Sequence, residues 1–365
     1  MKGRIRPLDG LRALAVLGVI WIHSWSYCGN PSLKLASVDI YKMIAIAGNG
    51  VDFFFVISGF CMYLLIDKSR LTLKKYGHFF YKRFLRIAPP FFISVLVYAI
   101  ILKALDHSFD FWYNVLFHLL FLNNVVTGNV IYGPFWSIGV EWHFYIILPF
   151  MITLINHFSA VRAVLLISMV SIFLYSIAIL GQWDMNWWEN QIIIRFPEFG
   201  CGIIAADFYL KGKKIPSFLS GSMGLLLGLS IMYLGRCLMY TPLLITVGKS
   251  AFFLKAISYT VMTSGFAFIL FHVISIPSIA ASFLSNTVLN YLGKISYSIY
   301  LWHGLSFTLL TKYFDKWELL QFKPLLVFSS VTLLTIFIAH FSYQFLESFY
   351  FKRSTNNGGQ LPVQK

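Results

Sequence analysis

The chain has 365 residues, of which 58% are hydrophobic, 18% aromatic and only 12% charged, about half the charged share of an ordinary soluble domain. That composition excludes a soluble globular enzyme and calls for lipid as solvent. The formal charge of +15 would suggest nucleic acid in a soluble protein. Here the basic residues fall between apolar runs, so they report membrane topology and attraction to an anionic leaflet, with no nucleic-acid partner.

Apolar runs long enough to cross roughly 30 Å of hydrocarbon, about 20 helical residues each, recur from end to end. In chain order they predict helices at Leu8–Tyr27, Gly50–Ile66, Arg83–Ala104, Trp136–Asn156 and Arg162–Gly181, then Ile192–Leu210, Phe218–Gly235, Ala256–Ile274, Ile295–Thr311 and Leu325–Ser348. The fold class expected is all-α, a polytopic integral membrane protein of about ten transmembrane helices in the plasma membrane. Residues 1–348 form one membrane domain, and 349–365 a short cytoplasmic tail too polar to fold alone. With both termini cytoplasmic, eighteen of the 29 Lys and Arg residues fall in inner segments and nine in outer ones, while Arg12 and Arg195 lie within helices. This asymmetry obeys the positive-inside rule. Between the third and fourth helices, Asp106–Pro134 carries an apolar piece, Phe111–Leu122, that is too short to span and is expected to lie in the interface or re-enter. The first helix contains Asp9, Arg12 and His23 and lacks a small-residue cleavage site, so it is not a signal peptide. Cys28, Cys61, Cys201 and Cys237 show no paired spacing, and neither a disulfide framework nor a metal site is expected.

A charge at membrane depth costs about 3 kcal/mol or more unless it is paired or faces a polar cavity. Each one therefore marks a candidate site. Arg12 and His23 are eleven residues apart, which at 100° per residue brings them within roughly 20° of one helix face. Asp9, Val16 and Val19 share that stripe, which is placed to line a path through the membrane. The competing readings are that Arg12 snorkels or pairs with Asp9, and that His23 is a structural histidine. An imidazole is suited to proton transfer near neutral pH.

In the fourth helix Ser137, Glu141 and Tyr145 fall at i, i+4 and i+8, one polar column. Glu141 lies as far outward of its helix midpoint as His23 does, so it is expected to orient the His23 ring and stabilise an imidazolium. The alternative is that Glu141 only bonds other helices. Arg83 and Arg86 stand one turn apart at the cytoplasmic start of the third helix, where two guanidinium forks suit phosphates or simply anchor the helix. Arg195 and Glu198, at i,i+3, read as a structural ion pair. Asp52 closes the outer end of the second helix. Ser58 sits at mid-depth without an accompanying base and is not expected to be a nucleophile. Tyr297 and His303 in the ninth helix are site-lining or structural.

These motifs, in this order, resemble the membrane-bound acyltransferase family 3, which contains bacterial carbohydrate O-acetyltransferases. The resemblance runs from Leu8 to about Leu346. It comprises Leu8-Asp9-Gly10-Leu11-Arg12-Ala13 with His23, Gly50-Val51-Asp52 through Ser58-Gly59-Phe60, the Arg83 and Arg86 pair, Trp136-Ser137 with Glu141, Arg195 with Glu198, and Ser296-Tyr297 with His303. It implies transfer of an acyl group, usually acetyl, from cytoplasmic acetyl-CoA to a carbohydrate or glycolipid hydroxyl across a bacterial inner membrane. The acceptors it suggests include lipopolysaccharide O-antigen and exopolysaccharide. No cofactor is permanently bound; acetyl-CoA is a donor substrate. By the resemblance, Arg83 and Arg86 hold the CoA phosphates, Arg12 assists at the thioester, and His23, supported by Glu141, acts as base or acyl relay. Two departures stand out. Many relatives append an extracytoplasmic hydrolase-like domain that does not follow here, which favours direct delivery. Trp142-His143 also follow Glu141 where a second carboxylate or glutamine is common, so acceptor details are not carried over. The rival reading is a transporter or flippase of a glycolipid or small solute, since mid-membrane polar groups also describe a translocation route. The sequence leaves the oligomeric state open.

Overall fold

The computed structural model of the chain describes residues 5–36, 38–66, 72–126, 128, 131–240, 250–314 and 322–348. Ten long helices follow one another among them. They are α1 (Arg6–Tyr27), α2 (Gly50–Leu65), α3 (Leu73–Leu105), α4 (Trp136–Phe158), α5 (Ala160–Leu180), α6 (Ile192–Leu210), α7 (Ser222–Tyr240), α8 (Ser250–Ser275), α9 (Ser296–Phe314) and α10 (Lys323–Ser342). All ten expected runs are helical, and the only strand pair is the two-residue ladder of Lys34–Leu35 against Val38–Asp39 among the described residues. Among the described residues, eight spans are long and apolar enough to cross a membrane. The other two long helices, α6 and α9, carry buried polar groups, Arg195, Glu198 and Asp207 on one and Ser296, Ser298 and His303 on the other. The molecule is an all-α polytopic membrane protein. The expected tail, 349–365, lies outside the described residues.

Two helix ends differ from expectation, and both differences shape the site. The third helix begins at Leu73, ten residues before the expected start at Arg83, because Thr72 caps it by accepting from the Lys75 N–H at 3.3 Å. Arg83 and Arg86 therefore lie about three turns inside α3. At the other end of the chain the α-helical pattern stops at Ser342 and gives way to a π turn, Tyr343–Glu347. The wider turn rotates the last residues and brings Glu347 inward, where it is 3% exposed.

Close packing comes from small residues. A methyl group on Gly59 would lie 2.0 Å from the Phe199 carbonyl oxygen, and one on Gly202 would lie 1.9 Å from that of Val56. The α2 and α6 backbones touch because neither has a side chain there, the usual device where lipid supplies no hydrophobic drive between helices. α1 runs through the core against α2, α9, α10 and two short helices, Ile279–Leu284 and Thr287–Lys294. α7 packs chiefly on α8 and turns Leu226, Leu229 and Leu234 outward. The described residues of the segment between α3 and α4 fold back into the protein core. The short helix there, Phe111–Leu119, is capped by Asp110, which accepts from the Tyr113 N–H. Phe121, Ile131 and Phe135 then return to the core at 5% exposure or less.

Candidate active site

Helices α1, α2, α3, α4 and α9 line a partly open cavity of about 100 Å³, to which Glu347 from the π turn also contributes. Arg12, Arg83, Arg86 and Lys294 bring four cationic side chains to its wall, against the two carboxylates of Glu141 and Glu347. Ser58, Ser137, Tyr145, Tyr297 and Tyr300 supply hydroxyls. The three arginines and four hydroxyl residues singled out in the sequence, Ser58, Ser137, Tyr145 and Tyr297, thus share one space with Glu141. An excess of cations in a low-dielectric enclosure favours an anionic occupant.

The column on α4 turns its polar groups into this cavity. Glu141 Oε1 accepts from Ser58 Oγ at 2.8 Å and from Tyr145 OH at 2.5 Å. Ser58 therefore does have a carboxylate at hydrogen-bond distance, contrary to the expectation that no base accompanies it. Sequence spacing within α2 carries no information about α4. Arg83 lies with its guanidinium carbon 5.6 Å from the centre of the Phe79 ring, and its buried Nε has no hydrogen-bond partner among the described residues. Arg12 Nη2 reaches Cys61 Sγ at 3.7 Å. Asp9 is itself buried at 4% exposure, its carbonyl backed against Gly293, and does not line the cavity.

The expected pairing of Glu141 with His23 is not present. Equal depth in two helices fixes height but not direction. Glu141 points at Ser58 and Tyr145, whereas the His23 ring packs edgewise on His303, 5.2 Å between centroids. His23 makes no hydrogen bond among the described residues, and it does not line the cavity. The stripe between Arg12 and His23 is not an open path either: Val16 and Val19 are 0% and 1% exposed in the core. Tyr300 and His303 bridge the gap. Tyr300 lines the cavity, donates to the Pro134 carbonyl at 2.6 Å, lies 2.7 Å from Ser137 Oγ, and has its ring 5.6 Å from that of His303.

Arg195 occupies a different cluster. It bonds Asp52 Oδ1 and Glu198 Oε1 at 3.0 Å each and the Glu189 carbonyl at 2.5 Å, between the faces of Trp136 and Tyr259. Asn49 donates to the second Asp52 oxygen at 3.0 Å. With its Nε and Nη1 bonded and aromatic rings beside it, this group ties α2, α6 and α8 together away from the cavity.

Sequence reasoning missed Tyr300, Lys294 and Glu347 in the cavity and Tyr132 beside His303. Tyr300 was legible, four residues after Ser296 on the same helical face. Glu347 was a lone carboxylate at the end of an apolar run. Tyr132 carried no signal, since a loop has no periodicity.

Comparison with known proteins follows the same outline. A family model described as an acyltransferase domain, that of acyltransferase family 3, matches residues 5–343. O-acetyltransferase OatA of Staphylococcus aureus strain NCTC 8325 is 25% identical over 387 aligned residues, covering 98% of this chain and 59% of OatA. A putative O-acetyltransferase of S. aureus strain MSSA476 is 26% identical over 379 residues, covering 95% of this chain and 57% of that protein. The chain spans less than two thirds of the length of these relatives. No solved structure gives a significant match.

Proposed function

Because the chain belongs to the acyltransferase 3 family, we propose that it is a membrane O-acyltransferase that moves acetyl from cytoplasmic acetyl-CoA to a hydroxyl of a cell-surface or exported carbohydrate. The observation that carries this reading is the cavity in which Arg12, Arg83 and Arg86 meet Glu141 and its two hydroxyl partners. CoA is a polyanion, and guanidinium groups bind phosphate oxygens bidentately. Arg83 and Arg86 line that cavity, so their guanidinium groups border the space an anionic donor would fill. Arg83 and Arg86 hold the donor's phosphates, and Arg12 faces the same space from α1.

His23 is the group proposed to act on the acceptor, as a base that takes the hydroxyl proton or as a relay that carries the acyl group. In the first case the alkoxide attacks the thioester carbonyl and the CoA thiolate leaves. In the second, an imidazole nitrogen displaces the thiolate and then yields the acyl group to the hydroxyl. Both uses need a free ring nitrogen, and His23 has no hydrogen bond within the described protein, whereas both nitrogens of His303 are engaged. Glu141 belongs to the donor side in this reading. It offsets the arginines and holds the Ser58 and Tyr145 hydroxyls in place. The enzyme would sit in the bacterial inner membrane with the arginine end of the cavity toward the cytoplasm, an orientation that the excess of basic residues in the inner segments supports.

The test is label transfer. Purified protein in vesicles, given acetyl-labelled CoA and a glycan extract of the producing cells, should move label into glycan. Translocation of a glycolipid with no transfer and no need for acetyl-CoA would establish the transporter reading instead.

A further inference from the structure

A histidine used as base or relay needs its ring held in one orientation, commonly by a carboxylate on its second nitrogen. Here Glu141 is committed to Ser58 and Tyr145, and the ring contact of His23 is with His303. His303 is fully buried, with Nδ1 2.6 Å from the Tyr300 carbonyl oxygen. A carbonyl only accepts, so Nδ1 carries the proton. In the neutral ring Nε2 then accepts, and its partner is the Tyr132 hydroxyl at 2.9 Å. Both nitrogens are used, and the ring is fixed in one tautomer.

Tyr132 sits in a formed seat. Its ring stacks on Tyr98 at 5.0 Å with 7° between planes, and Tyr98 is pinned to α9 by donating to the Leu301 carbonyl and accepting from the Leu305 N–H. The other wall is Gly304, where a methyl group would come within 2.2 Å of the Tyr132 ring. The absence of a side chain at residue 304 is what admits the phenol. We propose that Tyr132, from the loop between α3 and α4, is a positioning residue for His23: it fixes His303 as an uncharged wall, and that wall sets the His23 ring. An uncharged neighbour also does not oppose an imidazolium forming at His23 during transfer. This inference rests on His23 being the acting group.

Membrane vesicles carrying the full chain, assayed with acetyl-labelled CoA and scored per folded molecule, separate the two ideas. Tyr132→Phe keeps the stacked ring and removes only the hydroxyl. Its kcat should fall about tenfold to a hundredfold, with KM for acetyl-CoA unchanged within about twofold. His303→Gln, whose amide retains an acceptor for the phenol, should keep more rate than His303→Ala. His23→Ala, run alongside, should be inactive. An active His23→Ala overturns the reading of His23 itself. An inactive His23→Ala together with wild-type kcat in Tyr132→Phe, a Tyr132→Phe defect confined to KM, or equal rates in the two His303 variants overturns the positioning role.

Discussion

Two sets of arginines sit in the same bundle, one buried in a cluster of carboxylates and one half-buried on a cavity wall. Arg195 has two carboxylates, a carbonyl and two aromatic faces around it. Arg83 has an aromatic ring on one side and an Nε with no hydrogen-bond partner among the described residues, and with Arg12 and Arg86 it lines open space. A buried charge is tolerated only when something compensates it. For Arg195 the compensation is the protein. The cavity arginines instead border open space, which leaves them accessible to a ligand in the proposed reading.

Substitutions that treat the two sets alike should break this comparison. The largest effect is expected from Arg195→Ala, which strips the cation from Asp52 and Glu198 and costs about 3–5 kcal/mol. Little monodisperse protein should be recovered on gel filtration after detergent extraction, whereas Arg83→Ala should be recovered like wild type. Next comes Gly202→Ala, which forces α2 and α6 apart at about 1–3 kcal/mol, seen as a lower melting temperature. Arg83→Ala should weaken acetyl-CoA binding by about tenfold or more through loss of charge-assisted hydrogen bonds, measured by equilibrium binding on folded protein. Unchanged affinity would return Arg83 to the role of helix anchor. The smallest effect is expected at Ser58→Ala. It removes one of two bonds to Glu141 while Tyr145 remains, and transfer should fall by less than about tenfold. A complete loss there would instead make Ser58 a participant in the chemistry.

Most of the bundle was legible because lipid imposes a simple rule: each crossing is a run of apolar residues about 20 long, and all ten runs are helical. The ends that misled were set by capping at Thr72 and by the π turn at Tyr343–Glu347, which hydropathy does not register. Within one helix the site was also legible. The Ser137, Glu141 and Tyr145 column and the Arg83 and Arg86 pair follow from the turn of the helix, and the structure puts them on one cavity. What failed was the step between helices. Glu141 was assigned to His23 from depth alone, whereas helix rotation directs it to Ser58. Tyr132 reaches His303 from a loop that no periodicity describes.

The most direct measurement is binding and transfer of acetyl-labelled CoA by the purified protein, with Arg83→Ala and His23→Ala side by side. The account predicts that wild type binds donor and labels glycan, that Arg83→Ala loses donor affinity, and that His23→Ala binds donor normally but transfers nothing. Wild-type transfer by His23→Ala, or donor binding indifferent to Arg83, would contradict it.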